Sequence, residues 1–484
     1  MAEDATNQTF NDVQGSAGGD QSCPPASSGG VLPETDRRIE MLSPSVLTPY
    51  KRNARTHTRK QVRQIAESIK RFGFNNPVLV DEHNQIIAGH GRVEAAKLLE
   101  LAEVPTLRLS HMSESDVRAY VIADNKLAEQ AGWDQEVLAE ELQCLIDLNY
   151  NIEVIGFGPG EVEVVLNDAD EAKREAAGPE EYVPELGGKA VSRVGDLWTL
   201  GKHRIVCGDA RDNNAYELLL GGEKAELVLT DPPFNVKVDG HVCGKGSIHH
   251  REFVMASGEM SSQEFAAFLE SVFERLVGHS VDGSIHYVFM DWRHIGEMLA
   301  AGNKAYTELK NLCAWVKKNA GMGSFYRSRH ELVFVWKSGT APHINNFELG
   351  QHGRNRSNVW EYAGITSMGA DRIKQLSMHP TVKPVALVAD ALKDCSRRNG
   401  LILDPFLGSG TTLIAAERTG RRARGIEIDP LYVDTVVRRW QKYSGKVATL
   451  AATGQSFEEV EEHRAASAQT GADDSDLTVV EEAA

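Results

Sequence analysis

"LILDPFLGSGTTLIAAE", Leu401 to Glu417, carries three signals in succession. An apolar strand stops at Asp404, Gly408 and Gly410 supply a tight turn, and Thr411 opens a helix-forming run. In open parallel sheets such a turn brings backbone close to a ligand and aims a helix N-terminus at it. One strand later, "ARGIEID" reaches Glu427, an acid placed to accept hydrogen bonds from ribose hydroxyls. Glycines also make ordinary strand-to-helix turns. The ordered series of strand, turn, helix, strand and acid is a stronger signal than the glycines alone.

Working outward, apolar strands and amphipathic helices alternate from about residue 193 to residue 446. Strands that are apolar throughout predict an α/β, doubly wound, mostly parallel sheet covered on both faces. A second stretch, "LVLTDPPFNV" (Leu227–Val236), ends its strand on Asp231, Pro232, Pro233 and Phe234. The two prolines fix φ and remove backbone donors, giving a stiff turn whose carbonyls stay free. Asp231 could simply cap the next turn and Phe234 simply fill the core. Asp231 is also a hydrogen-bond acceptor and Phe234 a flat apolar face at the same strand end.

The chain has 484 residues and a formal net charge of −17, which by itself argues against a polyanionic partner. The acidity is concentrated: residues 151–186 carry a net −8 and residues 456–484 another −8. The remainder is close to neutral, and Lys51–Arg71 holds eight bases against Glu67. The six cysteines form no C-x-x-C pair, and His241, His249 and His250 match no common ligand spacing, so no metal site is expected. Neither a long apolar run nor a charged-then-apolar leader is present, so no membrane contact and a cytoplasmic location are expected.

Five segments are expected. Residues 1–38 read as a disordered arm and 39–150 as a small α/β domain. Residues 151–192 read as an acidic linker with room for a short helix, 193–448 as the large α/β domain, and 449–484 as an acidic disordered tail. In the small domain, Val62, Ile65, Ile69 and Phe72 recur at helical spacing before Gly73.

The set "HRIVCGDARD", "TDPPF", "MHPTVKP", "LDPFLGSGTT" and "RGIEIDPLYVD" resembles the S-adenosylmethionine-dependent DNA amino-methyltransferases that modify adenine N6 or cytosine N4. The catalytic motif precedes the cofactor motif, as in the beta class. The resemblance implies a Rossmann-like domain that binds S-adenosylmethionine and rotates a base out of double-stranded DNA, using Asp231, Pro232, Pro233 and Phe234. It further implies that Asp404, Phe406, Gly408, Gly410 and Thr411 form the cofactor loop. Glu427 would hold the ribose, Asp209 would lie beside the adenine, and Thr381 and Lys383 would sit at the methionine end, with Lys383 on its carboxylate. Lys317, Lys318, Arg327, Arg329, Arg354 and Arg356 are candidate phosphate contacts, and a homodimer is one expected assembly.

Because the motif opens with Asp rather than the Ser typical of the cytosine branch, adenine N6 is the expected target. Cytosine N4, RNA, or a non-catalytic DNA-binding role with a degenerate methyltransferase body are the alternatives. "PVLVDEHNQIIAGHGRVEAAKLL" looks like the ParB/sulfiredoxin-like domain, in which Gly89, His90, Gly91 and Arg92 would occupy the nucleotide-phosphate turn. Partition proteins carry an acid and paired arginines there. His90 and Gly91 therefore put nucleotide hydrolysis in doubt, leaving nucleotide binding or an auxiliary DNA contact.

Overall fold

The computed structural model describes residues 38–173, 180, 182–184, 186–236, 255–318, 325–347, 355–363 and 382–470. The expected N-terminal arm, His241, His249, His250, Arg354, Thr381 and residues 471–484 lie outside the described residues. The chain divides into two units between Gln130 and Ala131.

The first unit runs β1 (Ile39–Leu42), α1 (Arg59–Phe72), β2 (Val78–Val80), β3 (Ile86–Ala88), α2 (His90–Leu98), β4 (Val104–Arg108) and α3 (Glu114–Gln130). Its sheet has the order β1-β4-β2-β3, and its core gathers Leu47, Val78, Val80, Ile86, Val93 and Val104. Helix α1 starts where the Thr58 hydroxyl accepts the Gln61 N–H and stops at Gly73, whose φ of 88° is the left-handed conformation glycine tolerates. Its apolar face is shallow, for Ala66 is buried while Phe72 stays exposed.

The second unit begins with α4 (Gln135–Asp147) and α5 (Pro159–Lys173), and then the large sheet begins. Its elements are β5 (Leu197–Leu200), β6 (His203–Cys207), α6 (Asn213–Leu220), β7 (Ala225–Thr230), α7 (Ser262–Gly278), β8 (Ser280–Met290), α8 (Ile295–Ala305), β9 (Glu308–Val316), β10 (His330–Lys337) and β11 (Val359–Glu361). They continue with α9 (Val385–Cys395), β12 (Leu401–Asp404), α10 (Thr411–Arg418), β13 (Arg422–Glu427), α11 (Pro430–Ser444), β14 (Thr449–Leu450) and α12 (Phe457–Thr470). The sheet order is β11-β9-β10-β8-β7-β12-β13-β6-β5-β14. The central run β8-β7-β12-β13-β6 is parallel, and antiparallel pairs extend it on both sides.

Period-2 alternation explains the two cores. Leu227, Leu229, Tyr287, Phe289 and Ile402 face α9, α10 and α11, whereas Val228, Val288, Met290, Leu401 and Leu403 face α6, α7 and α8. Strands β7 and β12 are neighbours, yet the chain leaves them for opposite faces, through α7 and α10 respectively. This is a topological switch point, where a crevice opens beyond the carboxyl ends of the strands.

Three expected boundaries move. The small domain ends near residue 130 rather than 150, because Leu142 and Ile146 of α4 pack on Val162 and Leu166 of α5. The stretch read as a linker is largely structured: Glu163 is buried 2.8 Å from the equally buried Arg421, and the Asp434 carboxylate accepts the Val191 and Ser192 N–H groups. The stretch read as a tail begins as β14 and α12, with Phe457 against Trp198 and Arg464 paired with Asp196 at 3.0 Å. In the second and third cases a charged residue that looked solvated is the partner of a distant group.

Breaking a buried pair by removing one member leaves an uncompensated charge, which costs about 3–5 kcal/mol. Glu163→Ala is therefore expected to lower unfolding stability by that order in urea titration. Exposed Glu461→Ala, which loses a surface pair with Arg438, is expected to cost under about 1 kcal/mol.

Candidate active site

The crevice beyond β7 and β12 is lined by Asp231, Pro232, Pro233 and Phe234 from one strand end, and by Phe406, Gly408 and Thr411 from the other. Glu427 from the end of β13 closes it, together with Asp429 and Tyr432. Two motifs about 170 residues apart in sequence thus meet at one cleft, and proximity of this kind is what a two-substrate reaction requires.

Asp404 holds the two strand ends together. Its Oδ1 accepts from the Thr230 hydroxyl at 2.9 Å and the Phe406 N–H at 3.1 Å, and its Oδ2 from the Thr412 hydroxyl at 2.6 Å. Burial pushes its carboxyl up to about 6 despite these donors. Asp404 was expected within the cofactor loop; its oxygens are spent on positioning that loop.

The glycines divide their work. Gly408 has φ 53°, and a Cβ there would meet nothing within 4 Å, so it leaves open space on the cleft side. Gly410 has φ 84°, and a Cβ there would come within 2.7 Å of Val436 on α11. Substitution at Gly410 would disturb helix packing rather than intrude on the cleft. Thr411 is tied back by Arg439, which also donates to the Ser409 carbonyl at 3.0 Å. Phe406 leans on Phe268.

Glu427 accepts the Gly408 N–H on Oε2 at 2.8 Å and the Asp429 N–H on Oε1 at 2.9 Å. Burial nevertheless pushes its carboxyl up to about 7. At Asp209, expected beside the adenine, the flanking backbone reaches the cleft. Gly208 and Ala210 line the cleft, while the Asp209 carboxylate is gripped by Arg211 through Nη2 at 2.6 Å and Nε at 3.0 Å.

The Asp231 turn is pinned by a residue that sequence reading passed over. Asn235, at φ 53°, accepts the Gly258 and Met260 N–H groups and donates to the Met260 carbonyl at 2.7 Å. Asparagine enters the left-handed region more readily than most residues, the one local signal that could have marked it. Phe234 lines the cleft half-buried, in contact with both cores.

Lys383 is 7% exposed, with Nζ 2.5 Å from Asp231 Oδ2 and 3.1 Å from Glu331 Oε2. Lys383, expected at the methionine carboxylate, here pairs with two protein carboxylates. Asp231 Oδ1 is shielded from solvent and has no hydrogen-bond partner among the described residues. Burial raises the Asp231 carboxyl against the pull of Lys383.

Two expected phosphate contacts turn inward. Lys317 pairs with Glu331 and lies over the Trp315 ring. Arg356 binds Asp394 at 3.0 Å and the Tyr362 hydroxyl at 2.9 Å, so it anchors the body. Lys318, Arg327 and Arg329 remain exposed, and beside them Phe325 and Tyr326 are 85% and 87% exposed. In the first unit, Gly89 (φ 101°) opens α2, His90 Nε2 accepts the Tyr50 N–H, and Arg92 donates to the Asn76 carbonyl. A Cβ at Gly91 would meet His57 and Ile65 at 3.0 Å. Glycine there serves close packing, and His90 serves the fold. Among the described residues no His, Cys, Asp and Glu cluster could hold a metal, and no helix is long and apolar enough to cross a membrane.

Comparison with known proteins matches residues 225–438 to the DNA methylase family N6_N4_Mtase. Residues 136–194 match the ParB-methyltransferase HTH domain, and residues 32–125 the ParB N-terminal domain. The chain is 56% identical over 68 residues to the ParB-like nuclease domain-containing protein YnaK of Escherichia coli K12, covering 14% of this chain and 78% of the relative. It is 24% identical over 231 residues to the type II methyltransferase M2.MboI of Moraxella bovis, covering 45% and 81%. The solved structure of PvuII DNA methyltransferase (cytosine-N4-specific) aligns at 18% identity over 57% of this chain and 94% of that one, with a TM-score of 0.38. Residues 225–438 thus carry an N6/N4-type DNA methylase domain, preceded by a ParB-type N-terminal domain and a ParB-methyltransferase HTH domain.

Proposed function

We propose that the chain methylates the exocyclic N6 of adenine in double-stranded DNA, using S-adenosylmethionine and a base rotated out of the helix. The observation that carries this reading is Asp231: one oxygen is braced by Lys383, and the other is a shielded acceptor with no donor among the described residues. A buried carboxylate oxygen left this way is costly unless something arrives to fill it.

The cleft fits the methyl donor. Gly408 leaves room that a side chain would fill, and Glu427 offers a carboxylate on the same wall. Gly208, Phe406, Gly408, Thr411 and Glu427 would hold the molecule. When bound, S-adenosylmethionine supplies a methyl group on a positive sulfur, which departs as a neutral thioether.

The chain's own residues deal with a weak nucleophile. An exocyclic amino nitrogen shares its lone pair with the ring. Asp231 Oδ1 accepts one of its N–H bonds and the Pro232 carbonyl the other, which favours tetrahedral nitrogen and frees the lone pair. The extra proton on the methylated nitrogen leaves toward Oδ1, kept as a carboxylate by Lys383. Unstacking the base costs a few kcal/mol, and stacking on Phe234 returns roughly 1–3 kcal/mol. Adenine is the favoured target because the turn opens with Asp231, where the cytosine branch carries Ser.

Protein incubated with isotope-labelled S-adenosylmethionine and mixed-sequence duplex DNA is expected to give labelled N6-methyladenine on nucleoside digestion. Label in N4-methylcytosine would replace the adenine reading, and no transfer across varied DNAs would remove it. Asp231→Ala is expected to lower transfer by at least about a thousandfold while leaving cofactor affinity near normal.

Burial pushes the Glu427 carboxyl up to about 7, and its ionised form is the stronger acceptor for ribose hydroxyls. S-adenosylhomocysteine affinity, measured calorimetrically, is expected to rise between pH 6 and 8, by at most tenfold per pH unit for one linked proton. Glu427→Gln should flatten that slope. Lys318, Arg327 and Arg329 are exposed bases, and phosphate contact through them is part of this reading. Changing all three to Ala is expected to weaken duplex binding and to reduce the slope of log affinity against log salt by about 0.9 for every phosphate no longer neutralised.

A further inference from the structure

We propose that Glu331 is a positioning residue for methyl transfer, holding Lys383 where its ammonium braces one oxygen of Asp231 and leaves the other free. This rests on the reading of Asp231 as the acceptor of the amino group. The geometry is a series of alternating charges, Lys317, Glu331, Lys383 and Asp231, in which Lys383 is buried and the other three are half-buried. Glu331 is the second residue of β10, paired in register with Trp315 of β9. The Lys383 ammonium lies 5.1 Å from the Phe289 ring centroid, 5.8 Å from Phe234 and 5.9 Å from Trp315, so apolar walls surround the series.

A set of buried ion pairs is a poor way to stabilise a protein, because desolvation cancels most of the attraction. Its worth lies in fixing geometry. With Asp231 as its sole counter-charge, a buried ammonium would close on both carboxylate oxygens. Glu331 attracts it from the other side, at 3.1 Å, so that Nζ engages Oδ2 of Asp231 at 2.5 Å and Oδ1 stays open. Lys317 neutralises Glu331 in turn, which brings the four groups to zero net charge.

The titration behaviour agrees. Burial would raise the Glu331 carboxyl, but Lys383 and Lys317 hold it down to about 2, so it is ionised throughout any working range. Lys383 is held well above the ordinary lysine value by Asp231 and Glu331, against the effect of burial, and remains an ammonium. The charged groups that bear on Asp231 are Lys383 from the segment before α9, Glu331 from β10, Lys317 from the end of β9, and Asp404 from the end of β12. Removing the negative charge of Glu331 takes away a group that favours protonated Asp231.

Glu331→Gln is therefore expected to lower kcat about ten- to a hundredfold, the scale of a misplaced reacting group. KM for S-adenosylmethionine should stay near the unaltered value. The acid limb of the kcat/KM–pH profile, where activity falls as Asp231 protonates, should move to lower pH. Loss of packing alone would not move that limb. Glu331→Asp, which keeps the charge on a shorter stem, should recover part of the rate and keep the limb near its original position.

Asp231→Asn is measured alongside. If Asp231→Asn is inactive and Glu331→Gln keeps both its rate and its acid limb, the positioning role is overturned while the reading of Asp231 stands. If Asp231→Asn retains activity, both fall. Should Glu331→Gln fail to fold in thermal melts, Glu331→Asp decides: reduced kcat at unchanged cofactor KM supports the role, and an unaltered kcat overturns it.

Discussion

The Asp404 carboxylate is the constraint on which the site depends. It lies at the end of one central strand and accepts from Thr230 at the end of the next, from the first turn of α10 through Thr412, and from the loop between through Phe406. These bonds settle where the Asp231 turn sits relative to the glycine loop. A parallel sheet puts adjacent carboxyl ends side by side, but it leaves the departing loops free to splay. A buried acid that accepts from both sides removes that freedom, at a desolvation cost visible in its raised carboxyl.

The supporting structure repeats the same device with other charges. Arg439 crosses from α11 to the glycine loop, Glu163 brings the ParB-methyltransferase HTH segment onto Arg421, and Arg464 returns from α12 to Asp196. Each pair joins positions distant in sequence and buried or half-buried in space. The helical segment before the methylase sheet and the helix after it are consequently parts of one body. The exposed cations near Phe325 and Tyr326 are the exception, since they carry charge outward where a phosphate backbone can meet it.

Charge counting along the chain had suggested a different partition. A net −8 over residues 151–186 looks like a solvated linker, because unpaired acids stay in water. Val162 and Leu166 lie one turn apart on α5 and need only a small partner surface, which α4 supplies. Glu163 between them looks like one more surface acid until its counter-charge, 258 residues later, is seen beside it. Arg356 was misread for the complementary reason: a basic residue in a polar stretch looks solvated, and its partners Asp394 and Tyr362 come from elsewhere in the fold.

Much of the molecule was legible in one dimension, because the relevant physics is local. Apolar runs of strand length, helical periodicity, and glycine or proline at turns fix backbone conformation within a few residues. They announced the doubly wound sheet, the Asp231 turn and the glycine loop. Pairings of charge were decided by the tertiary fold, because a carboxylate and an ammonium interact through space with no preferred separation along the chain. Lys383 and Asp231 are 152 residues apart in sequence. Nothing in "HPTVKP" or "HELVFVWK" signals that its lysine and its glutamate meet beside one carboxylate. Folding the two strands' ends to a common crevice made that so.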